Sequence, residues 1–544
     1  MKHNLSLCLL WIGILIGIAG CNTDLSKTVQ KTDTDVYQII DKSWNDDIGG
    51  RINYRIADSA ADSNSIPLQI EMPASGILTL PQAVALATAH NRSYTEEKEQ
   101  LYLTALDQID VRHLYEPIPF AGGQGSFSKD DNNRGAGGFA DAGVQQLLAT
   151  GARVGGDISL GWMDIISGDF RSGFSSVATA MITQPLLRGA GRKIALENLT
   201  QAQRNTLYQI RAFNRYRKAF VTSIISDYYQ VLELNDRHIN ARSHYYALAE
   251  MYGNLYKRSA AGKLPQYELK QADQDRLKAL SYYIQSRKDY KNAMDSFKMR
   301  LSIPPDSELV LDMDELDALK RSVADQFQLS EEEAIRISRD QRLDLMNAAD
   351  EVDDARRKID VAADAIRAEL NLVGYVDAEP SNRTVFDMDP GELRRTRDRY
   401  ELGLQLDLPI DRLTEKNAYR RALINFTRQE RLYEQAVDTT TLQVRKAYRQ
   451  TEEARQRYHV ESESYQLAEK RSKNTLLLLQ YNRANTRDAL DAQNDLLDAQ
   501  NAVTKAVVDY AISGLELSRD TGTMKIKPDG MWENTINFQV NAGQ

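Results

Sequence analysis

The chain has 544 residues, with 68 Lys and Arg against 77 Asp and Glu, a net charge of −9. That balance excludes a general nucleic-acid binder, which needs a basic face, and a mean hydropathy of −0.50 excludes a polytopic helical membrane protein. With only 30 Gly and 13 Pro, long helices are expected, and 26 Tyr argue against disorder throughout. Residues 1–20 read as a secretory signal: Lys2 and His3 open it, and Leu5 to Ile18 is an apolar run too short for a comfortable membrane span. The two cysteines are Cys8, inside the signal, and Cys21, so neither a disulfide framework nor a cysteine zinc site can be built.

The signal ends in Ile18-Ala19-Gly20-Cys21, which resembles the bacterial lipobox. That resemblance implies cleavage before Cys21, acylation of its thiol and a firm lipid anchor. Asn22 and Thr23 follow, with no Asp behind the cysteine, which by the same analogy implies sorting to the outer membrane. Residues 21–76 then read as an N-terminal extension or lipid linker.

From there the chain repeats itself. Leu78-Thr79-Leu80-Pro81-Gln82-Ala83-Val84 matches Leu329-Ser330-Glu331-Glu332-Glu333-Ala334-Ile335, with Thr79 and Ser330 placed as helix N-caps. Gln184-Pro185-Leu186 matches Leu408-Pro409-Ile410, each closing a strand and opening a long helix. Gly262 matches Asn482, and both residue types accept a left-handed turn, so both positions read as tips of helical hairpins. The boundaries follow: a first repeat over 77–306 with strands at about 120–187 and a tip near 262, a second over 307–522 with strands at about 368–410 and a tip near 482, and a tail over 523–544. The repeat offset falls from 251 to 224 residues between the leading helix and the strand-to-helix junction, so the first repeat holds 27 extra residues. The Gly-rich stretch 120–148 is the obvious excess.

Each repeat reads helix, strands, long helix, tip, long helix. Residues 189–258 lack Pro and 411–480 lack both Gly and Pro, giving helices of roughly 105 Å. In the second, positions 423, 426, 433, 437, 444, 448, 451, 458, 465, 472, 476 and 479 keep a near-heptad stripe, the mark of supercoiled packing or of an ordinary bundle core. Between the helices, Tyr400, Leu402, Leu404, Leu406 and Leu408 alternate with Glu401, Gly403, Gln405 and Asp407, and Arg153 to Trp162 does the same. Such runs fit transmembrane β-barrel strands. A soluble half-buried sheet alternates identically, but an exported chain with so few strands between two long hairpins favours the membrane.

In order, spacing and duplication, these segments resemble the TolC-like outer-membrane efflux protein family. The carriers are LTLPQAVALATAHN at 78–91, QPLLRGAG at 184–191, AGKLPQYELKQADQDRLKA at 261–279, LPIDRLTEKNAYRRA at 408–422 and RDALDAQNDLLDAQNAVTKA at 487–506. The resemblance implies a mostly α fold with a small β part. Tandem helix–strand–long-helix-hairpin repeats would form, as a trimer, an outer-membrane β-barrel continued by a periplasmic α-helical barrel. It further implies a homotrimer of four strands per protomer, 12 in all, embedded in outer-membrane lipid and serving with a periplasmic adaptor protein and an inner-membrane pump. The 27 extra residues would add a hairpin either in the barrel or at its periplasmic rim. By the same resemblance Asp488 and Asp491 line the aperture at the periplasmic tips as rings of carboxylates, and Glu268 is the first-repeat counterpart that helps to hold it closed. The adaptor would meet the tips around Arg258, Gly262, Lys263 and Leu264 and around Asn482 and Arg483. A solvated helix face would explain the same acids. Ala484 stands where the family carries a basic residue, and Asn482 where it carries glycine.

No catalytic constellation, nucleotide loop or metal-ligand spacing occurs, so no enzyme, cofactor or metal is expected beyond the lipid on Cys21. Two readings remain: a passive duct of an efflux or type I secretion system, and a structural coiled-coil lipoprotein that tethers the outer membrane without conduction.

Overall fold

A computed structural model describes residues 25–45, 48–51, 53–56, 76–129, 134–167, 173–322, 329–380, 396–481 and 483–527. The signal, Cys21 and Asn482 lie outside the described residues. The described elements run α1 (Leu25–Ser43), β1 (Ile77–Leu78), α2 (Leu80–His90), α3 (Arg92–His113), β2 (Ile118–Lys129), β3 (Arg134–Leu147), β4 (Arg153–Ser167), β5 (Gly173–Pro185), α4 (Arg192–Ala195), α5 (Glu197–Ala260) and α6 (Gln266–Arg300). They continue with β6 (Val310–Leu311), α7 (Asp314–Ser322), α8 (Glu331–Gln341), α9 (Leu343–Asp364), β7 (Glu369–Pro380), β8 (Thr396–Asp407), α10 (Leu413–Gln480) and α11 (Thr486–Thr521). The mostly helical fold with a small antiparallel sheet is the one the resemblance implies.

Local chemistry explains where the helices begin. Ser330 caps α8 with a full capping box: Glu333 N donates to Ser330 Oγ at 3.2 Å, and Ser330 N donates back to the Glu333 carboxylate at 3.2 Å. Thr79 caps α2, its N–H donating to Gln82 Oε1 at 3.1 Å. With no breaker inside it, α10 runs unbroken for 68 residues. Every position of its near-heptad stripe is buried or half-buried, with Val444, Thr451 and Ser472 buried.

The chain forms two compact units, one from residues up to 43, 102–209 and 347–433, the other from 44–101, 210–346 and 434 onward. The second unit holds an aromatic core in which fully buried Trp44 packs on Tyr54 and Phe213, and Tyr94 packs on Phe213 and Phe220. The Trp44 indole N–H donates to Gly49 O at 2.7 Å. Trp44, Ile48 and Tyr54 come from the extension and Met524 from the tail, all buried, so both segments contribute to packing.

The first unit holds the sheet, and here one expectation is corrected. The chain contributes six strands to a single sheet, ordered β2-β3-β4-β5-β7-β8, not four. The Gly-rich excess of the first repeat forms β2 and β3, paired without interruption from Ile118↔Gln145 to Lys129↔Arg134 and continuous with β4. Its hairpin therefore belongs to the same sheet as the other four strands.

Candidate functional site

Cross-strand register shows which residues share a face of this sheet. Val144, Gly156, Ala180, Val376 and Tyr400 stand in one row, and Gln146, Val154, Ile182, Gly374 and Leu402 in another. This face is apolar, and it is bare: Tyr400 is 72% exposed, Leu402 78% and Leu404 67%, with Ile158 and Ile182 also exposed. No described part of the chain covers it, as the core of a soluble sheet would require. A contiguous exposed apolar surface marks a contact with lipid or another chain.

The opposite face is polar. One row carries Phe120, Gly143, Asp157, Thr179, Asp377 and Arg399, and the next Gln145, Gly155, Met181, Tyr375 and Glu401. The Thr179 hydroxyl donates to the Asp157 carboxylate across the strands. Gly143 admits a close approach: a Cβ there would stand 2.7 Å from the Phe120 ring and 2.5 Å from Gly156 O. The end of the Phe120 ring thus reaches over the glycine.

Both edges of the sheet, β2 and β8, lack a strand partner among the described residues. Every neighbouring pair is antiparallel, and six is an even number, so the two edges run antiparallel to each other. In hydrocarbon an unpaired strand edge is not tolerated, and only a closed barrel satisfies it.

The junctions below the sheet are braced by polar contacts. Arg188, in the QPLLRG segment, forms an ion pair with Glu369, and Gly189 N donates to Asp364 Oδ2 at 2.7 Å. Arg357 bridges Glu197 (3.2 Å) and Asp354 (2.7 Å), so the start of α5 is tied to α9.

At the helix tips, Gly262 adopts φ 71°, where a side chain would be strained. Lys263 N donates to Arg258 O and Gly262 N to Ser259 O, both at 2.9 Å, the paired closure of a Schellman motif. At the second tip Arg483 N donates to Leu478 O at 2.8 Å, the same long closure one repeat later. The two tips are joined: the Thr486 hydroxyl donates to the Glu268 carboxylate at 2.6 Å, and the Arg258 guanidinium donates to Leu479 O at 3.5 Å. Beneath them Leu248, Met251, Leu255, Ala272, Ala489 and Leu490 form a buried cluster, with Leu264 packed against it. Asp488 and Asp491 are exposed on α11, while Ala489, Leu490 and Ala492 turn inward. Lys263 and Arg483 are exposed as well.

Thus Glu268 and Arg258 meet partners across the tips, whereas Asp488 and Asp491 share an exposed face on which Asp491 pairs with Arg487 at 3.8 Å. The partners Thr486 and Leu479 were not legible in the sequence, since each bond spans more than 200 residues and no pattern marks it. A charged cleft of about 580 Å³ in the second unit pairs Arg215 and Arg342 with Asp344 and Arg519 with Asp520. Burial there pushes Lys218 down to about 8, and it donates to Gly522 O at 2.9 Å. Its arginines are answered by carboxylates and Lys218 by a carbonyl, so it reads as a structural network.

No family model matches the chain, and no curated protein does. Solved structures do. Over 81% of this chain and 92% of the other it superimposes on CusC, a protein studied for folding and transmembrane channel formation, at TM-score 0.57 and 12% identity. The Vibrio cholerae outer membrane protein VceC matches at TM-score 0.56 and 14% identity, covering 81% of this chain and 96% of its own. The Campylobacter jejuni CmeC outer membrane channel matches at 0.55 and 16%, covering 84% and 86%. The chain has the fold of the TolC-like outer-membrane efflux channels.

Proposed function

We propose that this chain is the outer-membrane channel of a tripartite efflux or type I secretion system. It acts as a passive homotrimeric duct for small molecules or polypeptides across periplasm and outer membrane. The observation that carries the reading is the two-faced sheet. Its apolar face is bare, its polar face holds Asp157, Asp377, Arg399 and Glu401, and its two edges need partners. Copies of the chain joined edge to edge satisfy the backbone, turn the apolar face to lipid and wall a water-filled lumen with the polar face. Acyl chains on Cys21 add a second hold on the outer membrane.

The duct has no chemistry of its own to drive transport, so a periplasmic adaptor protein and an inner-membrane pump supply energy and choose the cargo. The adaptor docks on the tips, at Arg258 to Leu264 and at Asn482 and Arg483. The closed state is held by the Glu268–Thr486 hydrogen bond. Three copies of Asp488 and Asp491 ring the aperture, where like charges favour cations. The test is single-channel conductance of the purified full chain in planar bilayers, beside Asp488→Ala/Asp491→Ala. Cation-selective currents that become larger or less selective in the variant are expected. No conductance from folded trimers of either form would leave the tether reading in its place.

A further inference from the structure

The strand count bears on what the duct passes. A sheet of six strands has both edges open, and its ends have the polarity needed to pair β8 of one copy with β2 of the next. We propose that β2 and β3 widen the barrel: three copies close 18 strands instead of 12, and the lumen admits solutes too broad for a 12-stranded barrel. This inference rests on the trimeric duct proposed above.

Three observations support it. The hairpin is paired to β4 over its whole length, so it is part of the wall and not an appendage at the rim. Its apolar side is in line with that of the other strands: Pro119, Val144 and Gly156 share one row, and Ala121, Ala142 and Ile158 another. Its polar side is mostly small: Gly122, Ser126, Gly137 and Gly143 stand there beside Phe120 and Phe139, and Asp141 is its only charge. Such a strand pair adds more circumference than side-chain bulk.

The gain follows from geometry. Strands about 4.8 Å apart and tilted about 40° give a backbone radius of roughly 12 Å for 12 strands and roughly 18 Å for 18. Eighteen strands fall in the range of porins that leave an aqueous channel, whereas about 8 strands leave room for little more than side chains. A barrel of that width sets no limit on size, and selection lies with the helical tunnel and its tips.

Disulfide trapping tests which strand β8 meets. Tyr400, Leu402, Leu404 and Leu406 are each changed to Cys, one at a time, together with Ala121→Cys on β2 or Gly156→Cys on β4, in the full chain in outer-membrane vesicles. The proposal expects inter-subunit cross-links with Ala121→Cys at one or two β8 positions, and none with Gly156→Cys. Cross-links to Gly156→Cys in intact trimers would overturn the widening and leave the duct standing. Absence of trimers on native electrophoresis would overturn the duct reading, and this inference with it. Polymer exclusion adds a functional measure. Added to the barrel side, neutral polyethylene glycols should partition into the wild-type barrel up to a radius about 1.5-fold larger than in a variant lacking 118–147, as barrel radius grows with strand number. An unchanged cut-off in a conducting variant would contradict the proposal.

Discussion

The two repeats of this chain follow one plan and differ where they meet the sheet. Each has a capped leading helix, a long helix, a closed tip and a returning helix, yet the first supplies four strands and the second two. The helical parts cannot vary much, because each long helix must keep its buried stripe in register with its neighbours. The sheet can, because a hairpin added at an open edge brings its own pairing and disturbs nothing already paired. Insertion of β2 and β3 therefore changes the sheet without changing the repeat.

The comparison breaks most visibly on the apolar face. If the inserted hairpin and β8 face the same lipid, Ala140→Arg and Leu404→Arg should each cost about 2–4 kcal/mol near the membrane midplane. Heat-modifiability of trimers on gels would report the loss, and Gln405→Arg, on the polar face, should be tolerated. A harmless Ala140→Arg beside a damaging Leu404→Arg would remove the hairpin from the lipid.

Glycines sharpen the contrast between strands. Gly143→Val must displace Phe120, Asp157 and the Gly156 carbonyl and should destabilise by about 1–3 kcal/mol, as overpacking does. Gly403→Val, in the second repeat, has nothing within 4 Å of the new Cβ and should leave the melting temperature nearly unchanged.

The tips offer a smaller effect. Gly262→Ala places a side chain at φ 71° and should cost about 1–2 kcal/mol. Asn482→Gly, at the equivalent position, should bring a gain of less than about 1 kcal/mol, measured as a shift of the chemical denaturation midpoint.

The smallest effect separates the two caps by pH. The Ser330 backbone N–H holds the Glu333 carboxyl below its usual range, while Gln82 cannot titrate. Stability from Glu333 is present above its unfolded pKa and is lost as pH falls through the lower folded value. Glu333→Gln should flatten that part of the acid unfolding curve, and Gln82→Glu should add a similar slope to the first repeat.

What the sequence disclosed follows from amplitude. Tyr400 to Leu408 alternates large apolar residues with charged ones, so β8 was legible, as were β4, the caps at Thr79 and Ser330, and the stripe of α10. The inserted hairpin was legible only as an excess. In β2, Ala121, Gly123 and Gly125 on one face differ little from Gly122, Gln124 and Ser126 on the other, so the alternation has almost no amplitude. Its place in the sheet is set by backbone pairing, which leaves no mark on side-chain pattern. The tip acids show a similar divide. Glu268 was found by its place in the repeat, but its partner Thr486 is 218 residues away and only folding brings the two together.

The most direct test of the account is an image of the purified full chain in lipid nanodiscs, resolved well enough to count strands. A three-fold particle with an open 18-stranded barrel, apolar outside and lined inside by Asp157, Asp377 and Arg399, is the predicted result. Particles without a closed barrel, or with the polar face turned to lipid, would contradict it.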